Sequence, residues 1–369
     1  MKSNEVRILV IDDTPGRHTL LSQGDAKFRV LHPLDVDDFS LEGIDLICVD
    51  EYLGQDWAAK IQGLVSDLPA LHNSDGLAVA AALRSRARLA DRSGAPGFAV
   101  ALFTADLGRL SEGLPESRQE PLTASMHDLE WVFRFEGGPA GFGDRVEELA
   151  SAARSITGID VAANGHSWLG LGARAWADLA RAQIDDCRPP QSALAKSTSG
   201  RSYLRWLAQR VLPYPTFVLD EEYAANLMGI EVAAFRSDAV QTLLASQQAK
   251  YSGPLRKSFL GRRWWRAALQ HILEEAGVSA WDAPHEKAEA LSRFIGSAVA
   301  PLDAVNPVVC YGPSGDVVAI DAEAEDCVRI QLDGWPLFAD EAWAQLDVAR
   351  TVPEVRALVA HDDVARLSE

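Results

Sequence analysis

Short apolar runs that alternate with helical patterns constrain the fold of the first 140 residues more than any other feature. Residues 7–12, RILVID, form an apolar run bounded by acidic and turn residues, as expected of a buried parallel strand. Four more strands are predicted over 27–31, 44–50, 97–105 and 128–136. Residues 76–90 repeat small apolar side chains at helical spacing. This alternation predicts an α/β fold with a five-stranded, doubly wound parallel sheet.

A Gly- and Pro-rich segment at 135–144 ends this pattern and predicts a domain boundary. Helices are then predicted over 144–156, 171–186, 200–212, 220–229, 232–250, 264–276 and 285–299. The last part of the chain predicts a hairpin over 306–321, a strand within 327–335 and a final helix over 338–348. We therefore expect three units: an α/β domain over 1–143, a mainly α-helical domain over 144–300, and a small α+β module over 301–369.

Composition narrows the class of protein. No segment stays apolar for eighteen residues, and the chain starts in a strand pattern without a basic and apolar leader, so we expect a cytoplasmic protein with no membrane partner. The four cysteines lie far apart in sequence and predict reduced, buried thiols. A formal net charge of −18 repels phosphate backbones, so nucleic acid is an unfavourable partner.

Acidic and hydroxyl side chains follow three of the predicted strands. Asp12 and Asp13 follow the first strand, Asp50 ends the third, and Thr104 lies at the end of the fourth. The carboxyl ends of parallel strands lie at one edge of a sheet, where ligands bind in such folds. Clustered carboxylates repel one another, and Mg²⁺ is the cation that usually compensates them and also accepts a phosphate oxygen. One carboxylate can then attack a phosphoryl group, with a hydroxyl and a cation from the fifth strand stabilising the added charge.

These residues resemble the receiver domain of two-component response regulators over residues 5–137. The segments that carry the resemblance are ILVIDD (8–13), DLICVDEYL (45–53), DGLAVAAALR (75–84) and ALFTA (101–105). The resemblance implies a flavodoxin-like order of the five strands. No family is apparent in residues 145–369.

The resemblance also implies a role for each residue at the predicted edge. Asp12 and Asp13 would be the acidic pair that binds Mg²⁺, together with Asp50 and the backbone carbonyl of Tyr52. Asp50 would be the phosphoacceptor, and Thr104 the hydroxyl that follows the phosphoryl group.

The fifth strand carries the two remaining family positions. Trp131 would be the aromatic switch that changes rotamer, and Arg134 stands where the family has an invariant lysine. Arginine keeps the charge but is a wider, planar group. Phe135 follows it in place of the family's usual proline. A segment between Asp50 and Asp75, GQDWAAKIQGLVSDLPALHNS (54–74), is an insertion relative to the family and is expected to lie beside the pocket.

Two features of the predicted helical domain over 144–300, which we call the helical half, are candidate binding surfaces. Residues 220–236 fit a helix-turn-helix loosely, but the second helix would present Glu231 and three apolar residues to DNA, so an ordinary helical hairpin is favoured. The segment 256–266 places cations beside aromatic rings and predicts a surface for an acidic protein partner. The alternative is that its tryptophans begin a core helix. The residues concerned are Arg256, Lys257, Arg262, Arg263, Trp264, Trp265 and Arg266.

The sequence thus predicts a signalling protein of the response-regulator type. Asp50 would accept a phosphoryl group from a histidine kinase or phosphotransfer protein, with Mg²⁺ as cofactor and at most autophosphatase activity. The helical half would pass the signal to a protein partner, and a homodimer is compatible with this organisation. One alternative is a degenerate receiver that acts as a scaffold in a bacterial stress or antiviral-defence system. A weaker alternative is a DNA-binding regulator.

Overall fold

The computed structural model describes residues 5–18, 27–37, 39–54, 75–92, 97–135, 139–157, 166–190, 200–257 and 259–368. Residues 55–74, which are most of the predicted insertion, lie outside these ranges. Residues 19–26, between the first and second strands, also lie outside them.

A five-stranded, all-parallel sheet forms the first part of the protein. Its strands are β1 (Ile8–Ile11), β2 (Phe28–Leu31), β3 (Leu46–Asp50), β4 (Ala99–Thr104) and β5 (Trp131–Arg134), in the order β2-β1-β3-β4-β5. This order is that of flavodoxin-like folds, whose ligand crevice lies at the carboxyl ends of β1 and β3. The predicted α/β class of this part and all five of its predicted strands are confirmed.

The sheet is buried on both faces because alternate residues of each strand enter different cores. Ile8 and Val10 belong to one core, and Leu9 and Ile11 belong to the other. Continuous apolar strands of this kind are the signature of a sheet covered on both sides. Helix α1 (Gly76–Arg92) covers the second face, as its predicted helical pattern requires.

Among the described residues, twelve further α-helices follow α1, and the π-helical turn Leu207–Val211 directly extends one of them. They are α2 (Leu107–Leu110), α3 (Gln119–Met126), α4 (Pro139–Thr157), α5 (Ala177–Asp186), α6 (Gly200–Trp206), α7 (Glu221–Met228), α8 (Val232–Phe235), α9 (Asp238–Ser246), α10 (Arg266–Glu275), α11 (Pro284–Ile295), α12 (Leu346–Thr351) and α13 (Pro353–Arg356).

Helix α4 joins the sheet to the helical half. The predicted boundary between residues 143 and 144 falls inside this helix, and Phe142, Val146 and Leu149 share a core with Trp131 of β5. That same core continues through the helical half and into the C-terminal strands. Apolar side chains on α4 face the sheet on one side and the following helices on the other. The first core therefore does not end at the predicted boundary.

Two small sheets complete the fold. Strands β6 (Val218–Leu219) and β7 (Trp264–Trp265) pair antiparallel. The second sheet has the order β10-β11-β8-β9, with β8 (Pro307–Tyr311), β9 (Val317–Glu323), β10 (Cys327–Ile330) and β11 (Ala342–Gln345). The predicted hairpin is confirmed as β8 and β9.

The helix predicted over 338–348 is wrong in its first half. Residues Ala342–Gln345 form strand β11, which lies between β10 and β8, and a helix starts only at Leu346. Ala342 and Ala344 are buried while Trp343 and Gln345 are partly exposed, which is the two-residue period of a strand. Alanine and glutamine favour helices, but pairing with two neighbouring strands outweighs that preference here.

Among the described residues, no helix is both long enough and apolar enough to cross a membrane. The four cysteines are free and buried, as predicted.

Candidate functional site

Three carboxylates meet at the carboxyl edge of the parallel sheet. Asp12 directly follows β1, Asp13 comes next, and Asp50 is the last residue of β3, the neighbour of β1. One ligand oxygen from each of the three lies within 4.8 Å of the others. This is the arrangement that the sequence predicted, and hard oxygen ligands at this spacing suit Mg²⁺.

Asp12 is held by hydrogen bonds within its own loop. Its Oδ1 accepts from the backbone N–H of Thr14, and its Oδ2 lies 2.7 Å from Nε2 of His18. His18 is itself buried, with its ring edge-on to Phe103. Burial raises the pKa of Asp12, but the bonds from His18 and Thr14 outweigh it and hold that pKa below the ordinary value. Asp12 is therefore a carboxylate at neutral pH, with one oxygen committed to His18.

Asp13 and Asp50 are the more open members of the cluster. Oδ2 of Asp13 accepts a 2.8 Å hydrogen bond from the backbone N–H of Gly54. Burial and the charge of Asp12 raise the pKa of Asp50 to about 7, with Asp13 adding to the rise and Arg17 opposing it. A group with this pKa near neutrality in a cleft is a functional-site candidate. A divalent cation would relieve the repulsion that produces the shift.

The backbone around Asp50 is tightly packed. Gly76, the first residue of α1, lies so close that an added Cβ would be 1.9 Å from the carbonyl oxygen of Asp50. Its N–H donates to the carbonyl oxygen of Glu51, and Tyr52 forms a bridge with Asp75. The Tyr52 side chain is half exposed. Glycine is thus required where α1 begins beside Asp50.

Thr104 lies at the end of β4 and is buried, but its nearest polar partners are not the three aspartates. Its hydroxyl donates to Oε2 of Glu51 over 3.5 Å and accepts from the N–H of Asp106 at 3.1 Å. Glu51 is also buried and forms an ion pair with Arg109 of α2, whose guanidinium lies 5.9 Å from the Tyr52 ring. Arg109 therefore supplies a half-exposed cation at this edge of the sheet.

Arg134 pairs in register with Thr104 across β4 and β5, but its guanidinium donates to Glu116 and Gln119. Its backbone N–H donates to Oε1 of Glu120. The cation that the resemblance placed on the phosphoryl group is thus engaged with the loop and helix that precede β5.

Trp131 is fully buried in the core that the sheet shares with the helical half. Its ring centroid lies 4.6 Å from that of Phe259, and its Nε1 donates to Glu120 over 3.3 Å. Both carboxylate oxygens of Glu148, on α4, accept backbone N–H groups from Lys257 and Phe259. The predicted switch residue therefore touches the helical half directly.

The surface predicted over 256–266 is wrong for its aromatic members. Trp264 and Trp265 are 2% and 0% exposed, because they pair with Leu219 and Val218 in the β6–β7 ladder. Arg263 donates to the carbonyl oxygen of Leu212. These tryptophans are core residues, and rings that are inside the protein offer no stacking surface to a partner.

The other four cations of the segment are described by their hydrogen-bond partners or by their exposure to solvent. Arg266 donates to Thr216 and Asp340, and Arg256 donates to the carbonyl oxygen of Ser252. Lys257 and Arg262 are exposed.

The loose helix-turn-helix pattern also has an internal role. Gly229 adopts a positive φ of 69° at the end of α7, and an added Cβ would lie 2.8 Å from Pro284. The following helix, α8, has four residues, Val232–Phe235. One helical turn is too short to place a reading surface in a DNA groove, so the helical-hairpin alternative is favoured.

Three neighbours of the site were not anticipated from the sequence. His18 binds Asp12, Glu51 lies beside Thr104, and Arg109 pairs with Glu51. Glu51 follows Asp50 directly, so its proximity was readable from the sequence. No spacing rule connects Arg109 or His18 to the site.

Comparison of the chain with protein-family models, with curated proteins and with solved structures finds no match.

Proposed function

We propose that this protein is a receiver-type phosphoacceptor in which Asp50 accepts a phosphoryl group and the helical half transmits the change. The observation that carries the proposal is the convergence of Asp12, Asp13 and Asp50 at the carboxyl edge of a β2-β1-β3-β4-β5 sheet. Asp50 stands at the centre of that edge, and the repulsion around it is what a bound cation would offset.

Asp13 and Asp50 are the residues that would hold Mg²⁺ directly, with Asp12 acting mainly through water. Oδ2 of Asp12 is already bonded to His18, which favours this division of roles. When bound, Mg²⁺ would neutralise charge on the carboxylates and on the incoming phosphoryl oxygens.

The residues of the chain then act by position and charge. An oxygen of Asp50 attacks phosphorus, an acyl phosphate bond forms, and the bond from phosphorus to the donor's nitrogen or oxygen breaks with its electron pair. The Thr104 hydroxyl turns from Glu51 to a phosphoryl oxygen. Two cations support this chemistry: Arg109, which pairs with Glu51, and Arg17, whose charge acts on Asp50.

The donor class that fits an aspartate acceptor is a phosphohistidine of a histidine kinase or phosphotransfer protein. The signal would pass from Asp50 and Thr104 to Trp131, which packs on Phe259, and so to the helical half and a downstream protein partner. The aspartyl phosphate would be lost by hydrolysis, which is the only catalysis we assign to the protein.

Intact-mass measurement tests this proposal. The full chain is incubated with acetyl phosphate and Mg²⁺, and Asp50→Asn is the matched control. We expect the mass of the wild type to increase by one phosphoryl group. No increase is expected when EDTA is added before the donor, and none for Asp50→Asn. Asp13→Asn should slow the reaction strongly. An unmodified wild-type chain at saturating donor and Mg²⁺ would contradict the proposal.

A second candidate is a receiver-like scaffold that never takes a phosphoryl group. The observation that favours it is that charged groups around the site are already paired within the chain. The pairs are His18 with Asp12, Arg109 with Glu51, and Arg134 with Glu116. It predicts no modification by acetyl phosphate and no effect of Asp50→Asn on partner binding. The same mass measurement separates the two candidates.

A further inference from the structure

A cavity of about 340 Å³ lies where the helical half meets the C-terminal module, away from the acidic site. Its lining includes three arginines, Arg188, Arg205 and Arg210, together with Trp206, Gln209 and Phe338. None of the described residues that line it is acidic. The chain has a formal net charge of −18, but the charged side chains that line this cavity are all positive.

Other cavities of the described residues differ in this respect. One of about 480 Å³ contains Asp220, Glu221 and Glu222, and one of about 460 Å³ contains Glu116 and Glu120, each alongside arginines. There the cations are offset by neighbouring carboxylates, as Arg236 is by Glu221 and Arg134 by Glu116.

Two of the three arginines in the 340 Å³ cavity are available for a ligand. Arg205 is engaged, because its guanidinium pairs with Asp128 and with the buried carboxylate of Glu130. Arg188 and Arg210 are exposed, and neither forms an ion pair with any described residue. The guanidinium of Arg210 lies over the Phe338 ring, 5.7 Å from its centroid, which places the cation against the aromatic ring.

The walls of the cavity are fixed. The Trp206 indole N–H donates to the carbonyl oxygen of Cys187, directly before Arg188. The Gln209 side chain donates to the carbonyl oxygens of Leu129 and Glu130, at distances of 2.6 and 3.1 Å, just before strand β5. Lining side chains that already have hydrogen-bond partners need little reorganisation when a ligand binds.

The backbone at this cavity is also unusual in two places. Gln209 and Arg210 lie on the π-helical turn Leu207–Val211, a rare conformation that occurs frequently at functional sites. Arg188 has a φ of +48°, in the left-handed region that non-glycine residues seldom adopt. Such positions concentrate at ligand sites because surrounding interactions must hold them.

We propose that this cavity, which we call the Arg188/Arg210 site, binds a nucleoside monophosphate or a closely similar ring-bearing phosphate monoester. The guanidinium groups of Arg188 and Arg210, neither of which forms an ion pair with a described residue, can each donate paired hydrogen bonds to the oxygens of a phosphate. Phe338 lines the cavity and supplies an aromatic side chain that a planar ring can contact. A volume of about 340 Å³ is at the lower end of ligand cavities, which run from about 300 to 1,000 Å³, so the ligand is compact.

Isothermal titration of the full chain with AMP tests the proposal, with adenosine and inorganic phosphate as the two half-ligands. We expect AMP to bind, adenosine to give no measurable binding, and phosphate alone to bind at least tenfold more weakly than AMP. Arg188→Gln and Arg210→Gln should each weaken AMP binding about tenfold or more, since a hydrogen bond to a charged group contributes about 1.5–3 kcal/mol. Phe338→Leu should weaken AMP binding and leave phosphate binding unchanged.

Both arginines are exposed, so these variants should keep the thermal midpoint of the wild type, which is measured alongside. Arg293→Gln, an exposed position on α11, is the matched control and should bind AMP as the wild type does. The proposal is overturned if AMP gives no binding at about 1 mM, because a Kd of that size corresponds to a binding free energy of only about 4 kcal/mol. It is equally overturned if both Arg→Gln variants retain wild-type affinity. Equal binding of phosphate and AMP would show that no ring is recognised.

Discussion

Replacing Asp50 by asparagine should stabilise the metal-free protein at neutral and alkaline pH, although it removes the residue at the centre of the proposed chemistry. Burial and the charge of Asp12 raise the pKa of Asp50 from 3.8 to about 7. A carboxyl group with a raised pKa in the folded state favours folding fully only below its unfolded pKa. That contribution is lost as the pH rises through the folded-state pKa, because the carboxyl group releases its proton more readily in the unfolded state. Asparagine cannot ionise and avoids this loss.

The size of the effect follows from the two pKa values. Folding shifts the pKa by about 3, and each pKa unit corresponds to 1.36 kcal/mol, which gives roughly 4 kcal/mol as an upper limit. Asp50 is 8% exposed, so solvent screens the charge little. Rearrangement of Asp12 and entry of water reduce the cost, so we expect about 2–4 kcal/mol at pH 8, falling to about 1 kcal/mol near pH 4.5, because that pH is still above the unfolded-state pKa.

Urea unfolding in EDTA between pH 4.5 and 8.5 measures the difference between Asp50→Asn and wild type at each pH. Asp303→Asn, at an exposed position, is the matched control and should show a constant difference. Mg²⁺ should shrink the alkaline difference, because binding to the native wild type adds RT ln(1 + [Mg²⁺]/Kd) to its stability. A difference between Asp50→Asn and wild type that stays flat across this pH range would refute the argument, since ionisation of Asp50 would then cost nothing.

Three further outcomes are expected. Calorimetry should show Mg²⁺ binding to the wild type at millimolar concentration. Asp13→Asn should reduce the affinity for Mg²⁺ at least tenfold, and Asp12→Asn should reduce it less. Equal losses of affinity would contradict the different roles of these two ligands. Beryllofluoride with Mg²⁺ should change tryptophan fluorescence in the wild type and much less in Trp131→Phe, whereas an identical change in both would mean that another tryptophan reports the event. Phe259→Ala should lower the free energy of unfolding by about 3–5 kcal/mol in urea titrations, and a loss below 1 kcal/mol would mean that its contact with Trp131 is not a packed one.

The parallel sheet and its acidic edge were predictable from sequence because both depend on local patterns. An apolar run that ends in an aspartate determines where that aspartate lies once the strands are parallel, so Asp12, Asp50 and Thr104 could be placed without coordinates. Arg109 could not, because its ion pair with Glu51 joins positions 58 residues apart through the path of a loop. The pairing of His18 with Asp12 likewise depends on a 3₁₀ turn that no pattern in the sequence announces.

The errors in the C-terminal half have a common physical cause. Tryptophans 264 and 265 stand among arginines, a composition that indicates a surface, yet both are buried by pairing with residues about 46 positions earlier. Residues 342–345 favour a helix by composition and become a strand because two neighbouring strands offer them hydrogen bonds. In both places, distant pairing partners outweigh local preference, and single-sequence patterns contain no information about those partners.

The continuous core determines how a change at Asp50 can leave the sheet domain. Trp131 is buried under Phe259, and the backbone beside Phe259 is held by Glu148 of α4, the helix that itself packs on the sheet. A movement of Trp131 therefore cannot be read by a partner at that face unless Phe259 moves as well. Because packed cores do not deform continuously, such a movement requires a second packing arrangement of the helical half. Under the proposed function, the helical half is thus one element that a movement of Trp131 would shift, and a partner would distinguish the two states by the position of its helices.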